Sequence, residues 1–322
     1  MQYSKIAGTG RYLPERVLTN FDLEKMVDTT DEWIRTRSGI ERRHIAAEGE
    51  TTVDLAEPAA RAAIHAAGVT PEDIDFIAFG TTTPDLIFPN CGVLLQARLG
   101  IHGCPAFSVE TACSGFIYAL SIADKYIRCG EARCALVIGA ETLSRMVDWK
   151  DRQTAVLFGD GAGAVVLQPS DEPGIISTHI HADGQYQDLL FYPGGVSKGW
   201  QHPSTGGQGL QMKGNEVFKV AVNTLGRIVE ETLEANKLDR AEIDWLIPHQ
   251  ANMRIIQATA KKLDLPLERV IITVQEHGNT SAASVPMALD VGIRDGRIKH
   301  GQLLLLEAFG GGFTWGAALI RY

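Results

Sequence analysis

The sequence predicts an α/β protein made of two copies of one folding unit. Two observations predict it: short apolar runs of strand length alternate with longer amphipathic stretches, and the order of those runs repeats in the second half of the chain.

In chain order, IDFIAFG (74–80), PAFSVE (105–110), CALVIGA (134–140) and GAVVL (163–167) are continuous apolar runs, as strands covered on both faces require. The stretch VDLAEPAARAAIHAAG (53–68) has helical spacing instead, and Gly68 stops it by entering the left-handed conformation without a Cβ penalty. The pattern then recurs. EDIDFIAFG matches AEIDWLIPH, with Asp75 and Asp244 at an offset of 169 (244 − 75). AFSVETAC matches TVQEHGN, which sets Cys113 opposite Asn279 at an offset of 166 (279 − 113). CALVIGAET matches LLLLEAFGG, with Leu136 opposite Leu304 at 168 (304 − 136), and GAVVL matches GAALI near the C-terminus. Four matches in one order imply a duplicated unit with halves at 1–172 and 173–322, joined by the turn-rich QPSDEPG. The Gly-rich stretch 192–209 is the main irregular segment and reads equally as a lid over a site or as a solvated loop.

Composition narrows the function classes. The 322 residues are 45% hydrophobic and 21% charged, close to a globular average, and the formal net charge is −9. That charge argues against nucleic acid or an anionic membrane as a partner. The N-terminal MQYSKIAGTGRYLPE has no apolar signal core and no run reaches the length of a membrane span, so a cytoplasmic protein is expected. Five cysteines without a C-x-x-C pair or zinc-like spacing predict reduced thiols and no metal.

Ligands of α/β sheets gather at the carboxyl ends of strands, and three reactive side chains fall there: Cys113 after PAFSVETA, His249 after IDWLIP and Asn279 after VIITVQEHG. A cysteine at a helix N-terminus meets unpaired N–H groups and the positive end of the dipole, which lowers its pKa, so Cys113 is a nucleophile candidate. The alternative is a small buried core residue, the commoner fate of cysteine. A neutral His249 can donate to a developing oxyanion, and the Asn279 amide can donate beside it; a turn-capping histidine and a turn asparagine are the plain alternatives. His277 reads as structural, pointing away if the chain there is extended. Three glycines, Gly310, Gly311 and Gly312, suit a backbone that passes close to a reacting group with an N–H exposed, a plain hairpin turn being the alternative. FGDGAGAVVL runs into a strand rather than a helix, so it is a packing feature and not a phosphate loop.

Taken together, ETACSGF, PHQAN, HGNTSAAS and EAFGGGFTWG, with TTDEWIRTRSGI and KGNEVFKVAV, resemble the β-ketoacyl-acyl-carrier-protein synthase III family over essentially the whole chain. That family initiates bacterial type II fatty acid synthesis. The resemblance implies a thiolase-like duplicated α/β sandwich and a Cys113-His249-Asn279 triad. Cys113 would take an acyl group from acyl-CoA, while His249 and Asn279 stabilise the enolate formed as malonyl-carrier protein loses carbon dioxide. The N–H groups of Cys113 and Gly311 would form the oxyanion hole. The resemblance further implies coenzyme A contacts at Trp33, Arg37, Arg152, Asn215, Phe218 and Ala251. It implies an acyl pocket of Phe88, Leu143, Leu157, Met212 and Phe309, with Phe88 crossing a homodimer interface. Docking of acyl-carrier protein falls to Lys219, Arg254, Lys261 and Lys262, of which the last three share one face of a helix whose buried stripe is Met253, Ile256, Ala260 and Leu263. Coenzyme A enters as substrate, and no cofactor is implied.

Other readings remain at this stage. A thiolase needs a second reactive cysteine near the C-terminus, and none follows Cys134; elongating condensing enzymes carry a second histidine where Asn279 stands. A type III polyketide synthase shares the triad. A papain-type hydrolase and a non-catalytic binding module are the readings from other classes.

Overall fold

The computed structural model describes residues 2–199, 206 and 208–322, and its two main sheets draw their strands from successive halves of the chain. The first half supplies β1 (Tyr3–Tyr12), a small ribbon of β2 (Arg16–Thr19) and β3 (Arg42–Ile45), then β4 (Phe76–Gly80), β5 (Ala106–Val109), β6 (Ala135–Thr142) and β7 (Asp160–Ser170). The second supplies β8 (Ile175–Ala182), the short pair β9 (Leu190–Phe191) and β10 (Gln211–Met212), then β11 (Trp245–Pro248), β12 (Leu303–Gly310) and β13 (Thr314–Arg321). The sheet orders are β1-β7-β6-β4-β5 and β8-β13-β12-β11, and a single bridge from Leu246 to Val270 stands where the second sheet would carry a fifth strand.

Alternation along the central strands explains the layering. In β6, Ala135 and Val137 face a core shared with the Gly115–Arg128 and Ser284–Arg294 helices, while Leu136, Ile138 and Ala140 face the Thr52–Ala66 and Cys91–Leu99 helices. In β12, Leu304, Leu306 and Ala308 face that same shared core, while Leu303, Leu305 and Phe309 face the Gly214–Asn236 and Met253–Lys262 helices. Two sheets thus sandwich a central pair of helices and carry outer helices on their far faces, a thiolase-like α/β arrangement. Each fully buried leucine or valine in these strands contributes about 1.5–3 kcal/mol by leaving water. The Thr52–Ala66 helix begins at Thr51, whose side chain and that of Asp54 cap each other's backbone, and Gly68 past its end has φ 68°.

Strand register gives the duplication one offset. Phe76 pairs with Ala135 as Trp245 pairs with Leu304, and Thr9 and Thr178 occupy matching places beside β7 and β13. Each of these pairs lies 169 apart (304 − 135), and so do Ala112 and Ser281, two non-glycine residues at φ 47° and 50°. Cys113 therefore stands opposite Ala282, not Asn279, and Leu304 stands opposite Ala135, not Leu136. Motif similarity misplaced both because the apolar strand residues are interchangeable. The carboxylates of Asp75 and Asp244 do match: Asp75 accepts from the Arg133 and Cys134 N–H groups, and Asp244 from that of Leu303. The offset falls to 153 at the last strand (320 − 167, Ile320 and Leu167), because residues 143–159 link β6 to β7 while only 311–313 link β12 to β13. The glycines of FGDGAGAVVL are a packing feature: a Cβ on Gly163 would lie 2.7 Å from the Met287 nitrogen of the Ser284–Arg294 helix.

All five cysteines are free. Among the described residues, no helix is long and apolar enough to cross a membrane and no cluster of side chains suits a metal ion. One buried charge-bearing group lacks compensation. Glu307 is fully buried in β12, neither carboxylate oxygen has a hydrogen-bond partner, and burial pushes its pKa up to about 8. A carboxyl raised above its unfolded value contributes stability in full below about 4.5, and this is lost as pH rises toward 8. Glu307→Gln, a neutral isostere, should therefore gain on the parent as pH climbs through that window, by up to about 1.4 kcal/mol per pH unit. Urea unfolding of both proteins at acid and alkaline pH checks this, and a pH-independent difference would refute it.

Candidate active site

Cys113 occupies the short 3₁₀ turn Ala112–Ser114, which leads straight into the Gly115–Arg128 helix. The turn packs against the end of β12: a Cβ on Gly310 would lie 2.6 Å from the Cys113 nitrogen, so only glycine fits there. Cys113 and Gly311 line one cavity of about 1100 Å³, together with Ala112, Leu143, Phe158 and Ser281. Residues 192–198 wall the same cavity, so the described part of the Gly-rich stretch borders the site, while residues 200–205 and 207 lie outside the described residues.

The helix-end argument for a thiolate fails here. Burial pushes the Cys113 thiol up to about 12; hydrogen bonds from Ser281 and its own backbone N–H oppose the shift, and the nearby charge of Glu141 adds to it. Desolvation is the largest cause of the shift. Glu141 itself is buried and accepts hydrogen bonds from Thr81, Thr82, Thr83 and Ser281.

His249 follows β11, where its N–H donates to the Glu307 carbonyl at 2.8 Å. Its Nδ1 lies 2.6 Å from Ser284 Oγ, and burial lowers its pKa to about 3, so the ring is neutral. The next residue, Gln250, bolts the turn down. Its Nε2 donates to the Pro248 and Ile271 carbonyls, and its Oε1 accepts from the Thr273 and Val274 N–H groups. Asn279 is clamped by its backbone, donating to the Leu157 carbonyl at 2.9 Å and accepting from the Gly159 N–H at 3.0 Å. Its Oδ1 accepts from the Ser281 N–H at 2.9 Å. His249 Nε2 and Asn279 Nδ2 have no partner among the described residues, and each belongs to a side chain anchored from behind. His277 is buried as expected of a structural residue, yet in a helical turn, Val274–His277, and not in extended chain; it meets His44 edge to face with ring centroids 6.5 Å apart.

The implied coenzyme A residues separate into two groups. The guanidinium carbons of Arg37 and Arg152 each lie 4.7 Å from the Trp33 ring centre, and Asn252, beside Ala251, donates to the Arg37 carbonyl at 3.0 Å. Phe218 lies under Arg254 at 5.2 Å, with Asn215 exposed in the first turn of the same helix. Lys219, Arg254, Lys261 and Lys262 are all exposed, and Ile256, Ala260 and Leu263 are buried beneath the last three, with Met253 half-buried. Of the implied acyl-pocket residues only Leu143 lines the cavity. Leu157 acts through its backbone on Asn279, Met212 and Phe309 pack into the outer core, and Phe88 is 84% exposed, away from its own chain's cavity. Sequence reasoning missed Gln250, Ser284 and Arg43. The first two sit inside the quoted motifs PHQAN and HGNTSAAS, where a buried polar residue is the available signal. Arg43 is fully buried, donates to Leu18, Asn20 and Val156, and packs beside Gly159 and Gly278.

A duplicated α/β sandwich with a buried cysteine, two anchored neutral donors and a glycine turn against the nucleophile defines a thiolase-like condensing enzyme. Family comparison narrows the class. The family model described as 3-oxoacyl-[acyl-carrier-protein (ACP)] synthase III matches residues 107–184, and its C-terminal model matches 233–322. The beta-ketoacyl-[acyl-carrier-protein] synthase III of Thioalkalivibrio sulfidiphilus is 65% identical over 322 residues, covering 100% of both chains. That of Xanthomonas campestris pv. campestris is 64% identical over 99% of this chain and 98% of its own. The crystal structure of 3-oxoacyl-[acyl-carrier-protein] synthase III from Aquifex aeolicus superposes with a TM-score of 0.93 at 50% identity, covering 99% of this chain and 100% of that one. The chain belongs to the β-ketoacyl-[acyl-carrier-protein] synthase III family.

The buried thiol gives a direct test. With a pKa near 12, alkylation of Cys113 by iodoacetamide should rise about tenfold per pH unit between neutral pH and pH 9, following the thiolate fraction. Mass mapping of the labelled cysteine measures this, and a rate already level near neutral pH would show a pre-formed thiolate.

Proposed function

We propose that the chain joins an acyl-CoA primer, acetyl-CoA first among them, to malonyl-acyl-carrier protein by decarboxylative Claisen condensation. The product is a β-ketoacyl-acyl-carrier protein, the first condensation of type II fatty acid synthesis. The observation that carries this reading is Cys113 lining a cavity with Gly311, in a turn packed on Gly310, within a chain that matches β-ketoacyl-[acyl-carrier-protein] synthase III relatives over its full length.

In the first half-reaction the Cys113 sulfur attacks the primer thioester, with the Cys113 and Gly311 N–H groups meeting the developing oxyanion. The thiol proton ends on the departing coenzyme A sulfur, so no net proton is exchanged. In the second, malonyl thioester loses carbon dioxide and the enolate oxygen takes hydrogen bonds from His249 and Asn279. The enolate carbon then attacks the acyl-cysteine and expels the Cys113 thiolate, which takes one proton from solvent to restore the resting thiol. No cofactor is needed, since coenzyme A enters as substrate. The papain-type reading requires His249 to take the thiol proton. With burial lowering the ring to about 3 and raising the thiol to about 12, that transfer is uphill. The type III polyketide alternative is not favoured, because the relatives over the full chain are carrier-protein synthases.

Trp33, Arg37 and Arg152 suit the nucleotide of coenzyme A, offering a stacking face and charge-assisted bonds. The exposed Lys219, Arg254, Lys261 and Lys262 suit an acidic carrier protein, steering it electrostatically to an otherwise acidic enzyme. The working unit is proposed to be a homodimer in the cytoplasm, where both thioester substrates are made. The support for a dimer is the apolar segment Leu86, Ile87 and Phe88, exposed at 49%, 62% and 84%, directly after Pro84 and Asp85 of the cavity mouth.

Two outcomes follow. His249→Ala and Asn279→Ala should each keep acylation of Cys113 from acetyl-CoA but lose decarboxylation by about 10²- to 10³-fold, the usual loss for one oxyanion donor. Assaying the half-reactions separately decides it, because loss of acylation with decarboxylation intact contradicts the assignment. Phe88→Ala should raise turnover of butyryl- and hexanoyl-CoA relative to acetyl-CoA, as a residue flooring the partner's pocket requires. An unchanged chain-length preference removes that role.

A further inference from the structure

The strongest unexplained contact near the triad is the 2.6 Å hydrogen bond between His249 Nδ1 and Ser284 Oγ, both of them buried. Its direction follows from an inventory of Ser284. The hydroxyl oxygen already accepts the Gln250 N–H at 3.3 Å. Its one proton has no acceptor among the described residues other than His249 Nδ1, since Ser284 makes no bond to the carbonyl one turn earlier, as Ser38 and Thr232 do. Were Nδ1 the donor, the serine proton would be left unpaired in the interior, which costs the desolvation of that group. Ser284 therefore donates to Nδ1, and in a neutral imidazole that places the hydrogen on Nε2.

The duplication supplies a second, independent observation. At the offset of 169, the counterparts of His249 and Ser284 are Gly80 and Gly115 (249 − 80, 284 − 115). Those glycines are also in contact, so closely that a Cβ on Gly80 would lie 2.5 Å from the Gly115 carbonyl carbon. One half of the molecule fills this pair of positions with bare backbone, and the other fills it with a histidine and its hydrogen-bond partner. The juxtaposition is inherited from the fold, and the side chains on it are particular to the half that carries the donors.

We infer that Ser284 is the positioning residue that fixes the Nε2–H tautomer of His249 and so makes it a donor to the thioester enolate rather than a base for Cys113. This deepens the proposed mechanism and rests on it for its catalytic consequence, though not for the tautomer itself. Ser284 touches neither substrate nor the reacting sulfur; its effect passes through the ring.

The test reads the tautomer directly. In protein labelled with nitrogen isotope at histidine, the His249 signals, assigned by their loss in His249→Gln, should show Nε2 as an N–H nitrogen and Nδ1 as an acceptor. Ser284→Ala and Ser284→Gly, the latter borrowing the first half's residue, should mix the two tautomers, and Ser284→Thr should restore one. Decarboxylation should fall by about 10- to 100-fold in the first two, the usual loss when a histidine's orienting partner is removed, with Cys113 acylation retained. A folded Ser284→Ala or Ser284→Gly protein that keeps a single Nε2–H tautomer overturns the inference. If the tautomers mix but decarboxylation is unchanged, the inference stands and the enolate-donor role of His249 fails instead.

Discussion

The structure depends on backbone-to-backbone contact where its two halves meet. The turns at Ala112 and Ser281, with φ of 47° and 50°, face each other across the pseudo-twofold relation, each in a conformation that costs a side-chain-bearing residue about 1–3 kcal/mol. What holds them is close packing on glycine. A Cβ on Gly139 would lie 2.1 Å from the Ala282 carbonyl oxygen, and one on Gly310 would lie 2.6 Å from the Cys113 nitrogen. The nucleophile is thus held by both halves at once, and neither turn can relax without separating the sheets that flank it.

This packing also sets the electrostatics. Sealing the centre from water raises the Cys113 thiol and lowers the His249 imidazole, so the resting site carries neither thiolate nor imidazolium. In the proposed mechanism charge arises only during reaction, on the tetrahedral oxyanion and the enolate, where it would meet neutral donors already fixed in place. In such a dry site those donors are worth more than in water and need no reorganisation. Burial acts on the Cys113 thiol in the direction opposite to the one its place at a helix end suggests.

The two copies of the unit have divided the labour. In the first, the long 143–159 connection carries Arg152 to Trp33 and lets Leu157 and Gly159 clamp the backbone of Asn279, which belongs to the second. In the second, the connection shrinks to 311–313, and Gly310 just before it packs on Cys113, which belongs to the first. Each half therefore supports the other's reactive residue. Buried Arg43 joins the N-terminal segment to this arrangement by donating to Leu18, Asn20 and Val156.

Alternating apolar runs and their repetition determine the α/β duplication, because strand burial and helix spacing are local properties of the chain. Cys113, His249, Asn279 and the glycines of EAFGGG were legible for a related reason: reactive side chains at strand ends and glycines without a strand's need for them stand out against a regular pattern. The register between copies was not legible. Motif likeness set Cys113 against Asn279, and only hydrogen-bonded strand pairing set it against Ala282. Nor could the sequence place Leu157, Met212 and Phe309, since an apolar residue reads the same in a core as in a pocket wall. Ser284 and Gln250 were spelled out inside recognised motifs, yet what they do depends on which buried atoms they meet. The sequence by itself singled out the candidate reactive residues. Tertiary structure decided their protonation and orientation, because both are set by burial and by partners far away in the chain.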